Sequence, residues 1–254
     1  MTHIGAKARL KAREMSARVA DVMARARSPE DEASALVHLM ASADDRRFWK
    51  GHRPEVDEVF EALRPVLDQL SALGEVALTV ITPREPRPDT WLASLEATVL
   101  RNVLVDGDAC DGWQAALDWF LRHSEGQSIV FQGALDEVMG HAGARSEEAL
   151  WRFLRGHKGR LHAATVLRDV LKEADPSWAC ATAASMLRWL LDIEGSTSAA
   201  DRLSVAVAAA CGKEAAPLLQ EVLDRVAKED TPPSEYHHDI VEALWMLGID
   251  PGPE

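Results

Sequence analysis

Titratable and aromatic side chains gather at a few places in this chain, and each place tests what chemistry the sequence could support. Glu235-Tyr236-His237-His238-Asp239 is the densest set of metal-ligand types. On a helix, neighbouring residues point about 100° apart, so His237 and His238 do not face one ion. Glu235 with His238 or Asp239 could share one, but the Cys or the second His at i+4 that zinc favours is missing. The set reads as a solvated first helical turn with a pH-sensitive surface. Asp106-Gly107-Asp108-Ala109-Cys110-Asp111-Gly112 has the look of a calcium loop. An EF-hand needs oxygen ligands at its odd early positions, glycine sixth and a bidentate Glu twelfth. Here Cys110 stands fifth, glycine falls seventh, and Leu117 stands twelfth. A helix stop followed by an acidic N-cap accounts for these residues better. No motif asks for a metal or a cofactor, and there is no GxSxG, P-loop or GxGxxG. An enzyme would have to bring titratable groups such as His162, Arg168, Asp169, Asp192 and Glu194 into one pocket.

The aromatic residues offer a different kind of site. The chain has eight tryptophans. Trp178 and Trp189 are eleven residues apart, about 20° off alignment after three helical turns. Thr182 and Ser185 lie between them on the same stripe, and Asp192 and Glu194 follow just beyond. Ala183, Met186, Leu190 and Ile193 form the adjacent stripe, so packing on two sides is one reading. The functional reading is a groove in which Trp178, Thr182, Ser185, Trp189, Asp192 and Glu194 meet a partner.

Charge narrows the class of partner. The net charge is −13 over 254 residues. Residues 1–27 hold seven basic and two acidic residues, a balance of +5, which leaves −18 for the remainder. A body of that sign repels phosphate, argues against nucleic acid and suits a basic protein. Three cysteines, Cys110, Cys180 and Cys211, are widely separated. Cys180 and Cys211 fall in apolar helical runs, where free cysteine behaves as a small hydrophobe, and this suits a reducing compartment. The basic N-terminus has no apolar h-region behind it, and no apolar run reaches the length of a membrane span. The expected location is the cytoplasm.

The elements that must position these residues read as helices. Ile4, Ala8, Ala12, Met15, Val19, Val22 and Ala26 mark a weak apolar face over residues 3–27, beside a basic stripe of Lys7, Lys11, Arg18 and Arg25. This arm is expected to dock on the body through Met15, Val19 and Val22, with the stripe facing acids such as Glu30, Asp31, Glu55, Asp57 or Glu58. Ser28-Pro29-Glu30-Asp31 is a strong helix start. Pro65 lies inside the next helical pattern and predicts a kink near Ala62–Leu63. Glu75 to Thr82 alternates like a strand, yet no second strand exists to pair with it, so a short buried helix is expected. Pro83-Arg84-Glu85-Pro86-Arg87-Pro88 is an extended linker, either a long inter-helix loop or a boundary between N-terminal helices over 28–82 and a regular region over 89–250, the two being expected to form one continuous domain. From Asp111 on, helical pairs start near 111, 145, 177 and 213, at intervals of roughly 33–37 residues, the spacing of stacked helical hairpins. Ser198 to Ala210, nearly all small and apolar, should be deeply buried.

The run Ala215-Ala216-Pro217-Leu218-Leu219…Val222-Leu223, followed by Val241-Glu242-Ala243-Leu244-Trp245-Met246-Leu247-Gly248, resembles a HEAT repeat over residues 213–248, and residues 111–211 resemble it more loosely. Ile240, Val241, Leu244, Trp245 and Leu247 form the apolar face of the second helix, and Gly248 closes it as a C′ residue. The usual Asp and Arg of the family are missing. The resemblance implies an all-α solenoid with a concave surface and carries no chemistry of its own. HEAT-repeat hydroxylases carry His-Glu dyads, and no His precedes Glu here. HEAT-like DNA glycosylases use Trp and Asp on a basic face; Trp113, Asp118 and Trp119 supply the types without the basic charge. The expected function is a non-enzymatic protein-binding scaffold whose acidic concave face receives a basic partner. It would act as an adaptor or regulator, or as an immunity-type inhibitor of a basic toxin. The alternative is a HEAT-like enzyme acting on a small molecule or nucleic acid.

Overall fold

The computed structural model describes residues 6–42, 48–49, 54–84, 91–107, 112–124, 128–228 and 238–250. These residues are helical or in turns, and none of them forms a strand. The chain divides into two compact units, 1–138 and 139–254.

In the first unit, α1 (Ala6–Arg25) packs chiefly on α3 (Val56–Ala72) and less on α2 (Pro29–Ala41). Ser28 caps α2, its Oγ accepting from the Asp31 N–H at 3.2 Å, with Pro29 in the first turn where a missing N–H costs nothing. Ala8, Met15 and Val19 are the residues α1 buries, so the arm docks through small and medium apolar groups. Two cations of the stripe, Lys11 and Arg25, pair otherwise than expected. Lys11 pairs with Glu14 at 2.6 Å and Arg25 with Asp21 at 2.7 Å, both within α1, and Lys11 Nζ also sits 4.8 Å from the Phe48 ring centre. Side chains three and four apart on a helix are already neighbours, so the near acids capture these cations.

Helix α3 runs unbroken past Ala62, Leu63 and Pro65, burying Val59, Ala62, Leu63, Val66, Leu67 and Leu70 on one face. The stretch with strand-like alternation is helix α4 (Glu75–Ile81), which buries Ala77, Leu78 and Ile81. Its threonines fold their hydroxyls back, Thr79 onto the Val76 carbonyl and Thr82 onto the Leu78 carbonyl, each at 2.8 Å. After α5 (Trp91–Arg101) the chain widens into a π-helical turn (Asn102–Asp106). Helix α6 (Trp113–His123) and helix α7 (Ile129–Ala142) follow, and the division between the units falls within α7. Trp119, Phe120 and Phe131 are wholly buried and pack edge-on or tilted, while His123 stacks on Trp119 at 4.0 Å.

The second unit is organised around one apolar helix. It contains α8 (Glu147–Gly156), α9 (Arg160–Lys172), α10 (Pro176–Trp189), α11 (Thr197–Cys211), α12 (Ala216–Val226) and α13 (His238–Met246). Helix α11 buries ten of its fifteen residues, as its small apolar composition requires. It contacts α9, α10, α12 and α13, most extensively α9. Asp175 caps α10, its Oδ1 accepting from the Ser177 N–H at 2.8 Å. Gly248, with φ +74°, closes α13, and the Ile249 N–H returns to the Leu244 carbonyl at 3.0 Å.

Two expectations need correction here. Cys180 and Cys211 are not free thiols: they form a disulfide across a sequence separation of 31, with Cα atoms 4.8 Å apart. It ties the first turn and a half of α10 to the last residue of α11, the two ends that an antiparallel hairpin brings together. The inference of a reducing compartment rested on unbonded cysteines and therefore lapses. Trp245 does not join the buried face of α13. Ile240, Leu244 and Leu247 are buried, Val241 is half-buried, and Trp245 is exposed beside Met246. No helix among the described residues is long and apolar enough to cross a membrane.

Candidate functional site

Helix α10 passes directly into a π-helical turn (Leu190–Glu194), which carries Asp192 and Glu194. The predicted groove residues differ in burial and in neighbours. Thr182 is buried, Ser185, Asp192 and Glu194 are exposed, and Trp178 and Trp189 are half-buried. Trp178 lies near Gly143, where a Cβ on that glycine would stand 4.0 Å from its Nε1. Trp189 reaches the other way, meeting Trp151 of α8 edge to face at 6.2 Å.

Trp189 and Glu194 belong to a cluster at the turn between α8 and α9. The Arg155 guanidinium covers the Trp151 ring at 4.6 Å, and that of Arg160 lies over Trp189 at 5.5 Å. Arg160 Nε is 2.9 Å from Glu194 Oε1, while its Nη1 donates to the Leu154 carbonyl at 2.9 Å and to the His157 carbonyl. One arginine thus fastens the end of α8, the turn and the π-helical segment. His157 adds a second clasp: its Nδ1 accepts from the Gly159 N–H at 3.0 Å, and its ring stands 5.0 Å from His162 and 5.2 Å from Phe153. Between residues 152 and 162 the chain holds Arg152, Arg155, Lys158, Arg160 and two histidines, with no acid. That acid-free run within an acidic chain was the sequence signal for this cluster, and motif matching passes over it.

Asp192 is also engaged. Arg225 Nη2 donates to it at 2.6 Å and to Glu221 at 2.6 Å, while Nη1 donates to the Leu191 carbonyl at 2.9 Å. Both carboxylates of the predicted groove are thus matched by arginines of this chain. The titratable residues proposed for an enzyme fall into separate sets: Glu194 with Arg160, Asp192 with Arg225, and Arg168 with Asp169 at 2.8 Å. Arg168 also lies 3.4 Å from Asp239.

A second polar constellation holds α13. Asp201 of α11 is fully buried, and its Oδ1 accepts the Ile240 N–H at 2.9 Å, capping α13 from a neighbouring helix. Its Oδ2 is buried without a hydrogen-bond partner. Asp239 stands close by, paired with Arg202 at 2.7 Å and with Arg168. Burial pushes the Asp201 carboxyl up to about 7; the Ile240 N–H opposes the shift, Asp239 adds to it, and Arg202 opposes it.

Of the other singled-out residues, Trp113 and Trp119 are buried and Asp118 is half-buried in α6. Residues 108–111, including Cys110, and residues 229–237, including Glu235 and His237, lie outside the described residues. Among the described residues no three His, Cys, Asp or Glu side chains are grouped to hold a metal ion. Comparison with family models, curated proteins and solved structures returns no match for this chain.

Proposed function

We propose that the chain is a non-enzymatic protein-binding scaffold whose acid-rich portion receives a basic protein partner. An adaptor, or an immunity-type inhibitor of a basic toxin, would use such a surface. The observation that carries this reading is where the acids lie. Residues 28–138 contain twenty-one acidic against nine basic residues, whereas 139–228 are close to neutral, with eleven against twelve. In the first unit Glu30, Asp31, Glu55, Asp57, Asp68 and Glu75 are exposed on α2, α3, α4 and their caps. Such a field speeds encounter with an oppositely charged protein and sets specificity more than affinity. The groove first considered, at Asp192 and Glu194, is the poorer receptor because both charges are matched internally.

For architecture, we read α8/α9, α10/α11 and α12/α13 as three successive hairpins in a HEAT-like stack. In support, α11 packs on α9 and on α13 as well as on its own partner α10, and the disulfide closes the α10/α11 hairpin. Copurification from the native host at low and at raised salt tests the function. A basic protein should be retained by the native chain, released by salt, and lost with Asp57→Lys plus Asp68→Lys. Retention of the same partner by that double variant, or a partner whose binding ignores salt, would refute the charge-based reading.

A further inference from the structure

The α8–α9 corner is basic although the chain as a whole is acidic, and its geometry is suited to a different ligand. Arg160 is committed: it holds Glu194 and two backbone carbonyls, and so fixes the shape of the turn. Arg155 and Lys158 are not. Both are exposed, and neither has a hydrogen-bond or ion-pair partner among the described residues. The Arg155 guanidinium lies 4.6 Å over the Trp151 ring, a cation–π contact that takes up none of its N–H groups in hydrogen bonds. A planar guanidinium held against a ring, with an exposed ammonium three residues on, is a receptor for carboxylate or phosphate. Half-buried Trp151 and Trp189 next to arginine also have the composition of a protein-binding hot spot.

The aromatic geometry separates two kinds of polyanion. A single-stranded nucleic acid needs open aromatic faces on which bases stack. Here Trp151 and Trp189 meet at 90°, and each has an arginine over one face, so the rings offer no shared platform. The net charge of −13 further disfavours a long phosphate chain. A short acidic stretch of protein needs neither condition. We propose that the corner formed by Trp151, Arg155, Lys158 and Trp189 binds a carboxylate-rich peptide segment of a partner protein.

This rests on the reading of the chain as a protein-binding scaffold, and the opposite charge of its ligand keeps the two tests apart. The probes are a fluorescein-labelled glutamate-rich peptide, a lysine-rich peptide of equal length and a single-stranded oligonucleotide, each titrated by anisotropy into the full chain. The glutamate-rich peptide should bind, more weakly as salt rises. Arg155→Glu and Lys158→Glu should each weaken it about tenfold or more. Lys158→Gln should weaken it less. Lys172→Glu removes an exposed cation about 18 Å away at the far end of α9 and should leave binding unchanged. None of the corner variants should weaken the lysine-rich peptide, whose binding reports on the acidic surface instead. The proposal is overturned by failure of the glutamate-rich peptide to bind, or by an equal loss with Lys172→Glu. It is also overturned if the oligonucleotide binds more tightly and is lost with the corner variants.

Discussion

Replacing Asp201 with asparagine should make the protein more stable above neutral pH. The side chain has no exposed surface, one oxygen bonded to the Ile240 N–H and one with no hydrogen-bond partner. Burial is the main cause of a carboxyl pKa pushed from 3.8 to about 7. A raised folded-state value means that the native protein binds the proton more tightly than the unfolded chain does. The contribution to stability is then fully present below 3.8 and is lost as pH rises through about 7. The displacement corresponds to about 4 kcal/mol between the two protonation states. Asparagine keeps an acceptor for the Ile240 N–H and cannot ionise, but it brings an amide N–H₂ whose burial costs about 1–3 kcal/mol unless Asp239 accepts from it.

Asp201→Asn should therefore be about 1–3 kcal/mol more stable than the native protein at pH 8, and equal to it or less stable at pH 4.5. Urea unfolding of both proteins across that range gives the difference directly, and taking the difference cancels most of the other titrations. A difference that stays constant with pH, or that favours the native protein above pH 7, would refute the account of a buried, penalised carboxylate. Asp201→Ala separates charge from cap. It also removes the ionisation but leaves the Ile240 N–H unsatisfied, so α13 should become more exposed to protease at every pH.

The docked arm gives a second prediction. Val19→Asp places a carboxylate in the α1–α3 contact and should cost roughly 3 kcal/mol or more, seen as a lower melting temperature and early proteolysis within residues 6–25. Lys11→Glu loses one intrahelical pair and a ring contact and should cost about 1 kcal/mol or less. The reverse ranking would mean that charge and not burial holds the arm. Reduction of the disulfide, or Cys180→Ser with Cys211→Ser, should destabilise by about 2–4 kcal/mol, because the closed loop spans 31 residues. Three reactive thiols rather than one in the non-reduced, unfolded native protein would show that the bond does not form.

Local signals in the sequence located most of the helices because local chemistry fixes their ends. Ser28-Pro29 and Asp175-Pro176 act as caps where their residue types require it. The alternating stretch at 75–81 resolved as helix for a non-local reason that could still be foreseen, since a strand without a partner leaves its backbone groups unsatisfied. The site was harder to see, since alignment on one helix says nothing about what stands opposite. Trp178 and Trp189 share a stripe but lie about 16 Å apart along the axis, so they meet different neighbours, Gly143 and Trp151. Asp192 and Glu194 lie in the π-helical turn beyond that stripe, and nothing in their own segment names Arg225 and Arg160 as their partners. Cys180 and Cys211 looked like core filler because each was judged by its own helix, while their bond depends on how two helices pair.

Charge shows the same limit most sharply. A net value of −13 says what the whole molecule attracts at a distance, where fields add. Contact is decided within a few ångströms, where the unpaired cations Arg155 and Lys158 count for more than a remote excess of acids. The pairs Arg160–Glu194 and Arg225–Asp192 match the two acids that follow Trp189, and the run from Arg152 to His162 holds no acid, so the corner keeps a positive sign that the total conceals. The two proposed surfaces therefore differ in sign, the acid-rich one suited to a basic protein and the corner to an acidic segment. The sequence total alone would have assigned both surfaces the same partner.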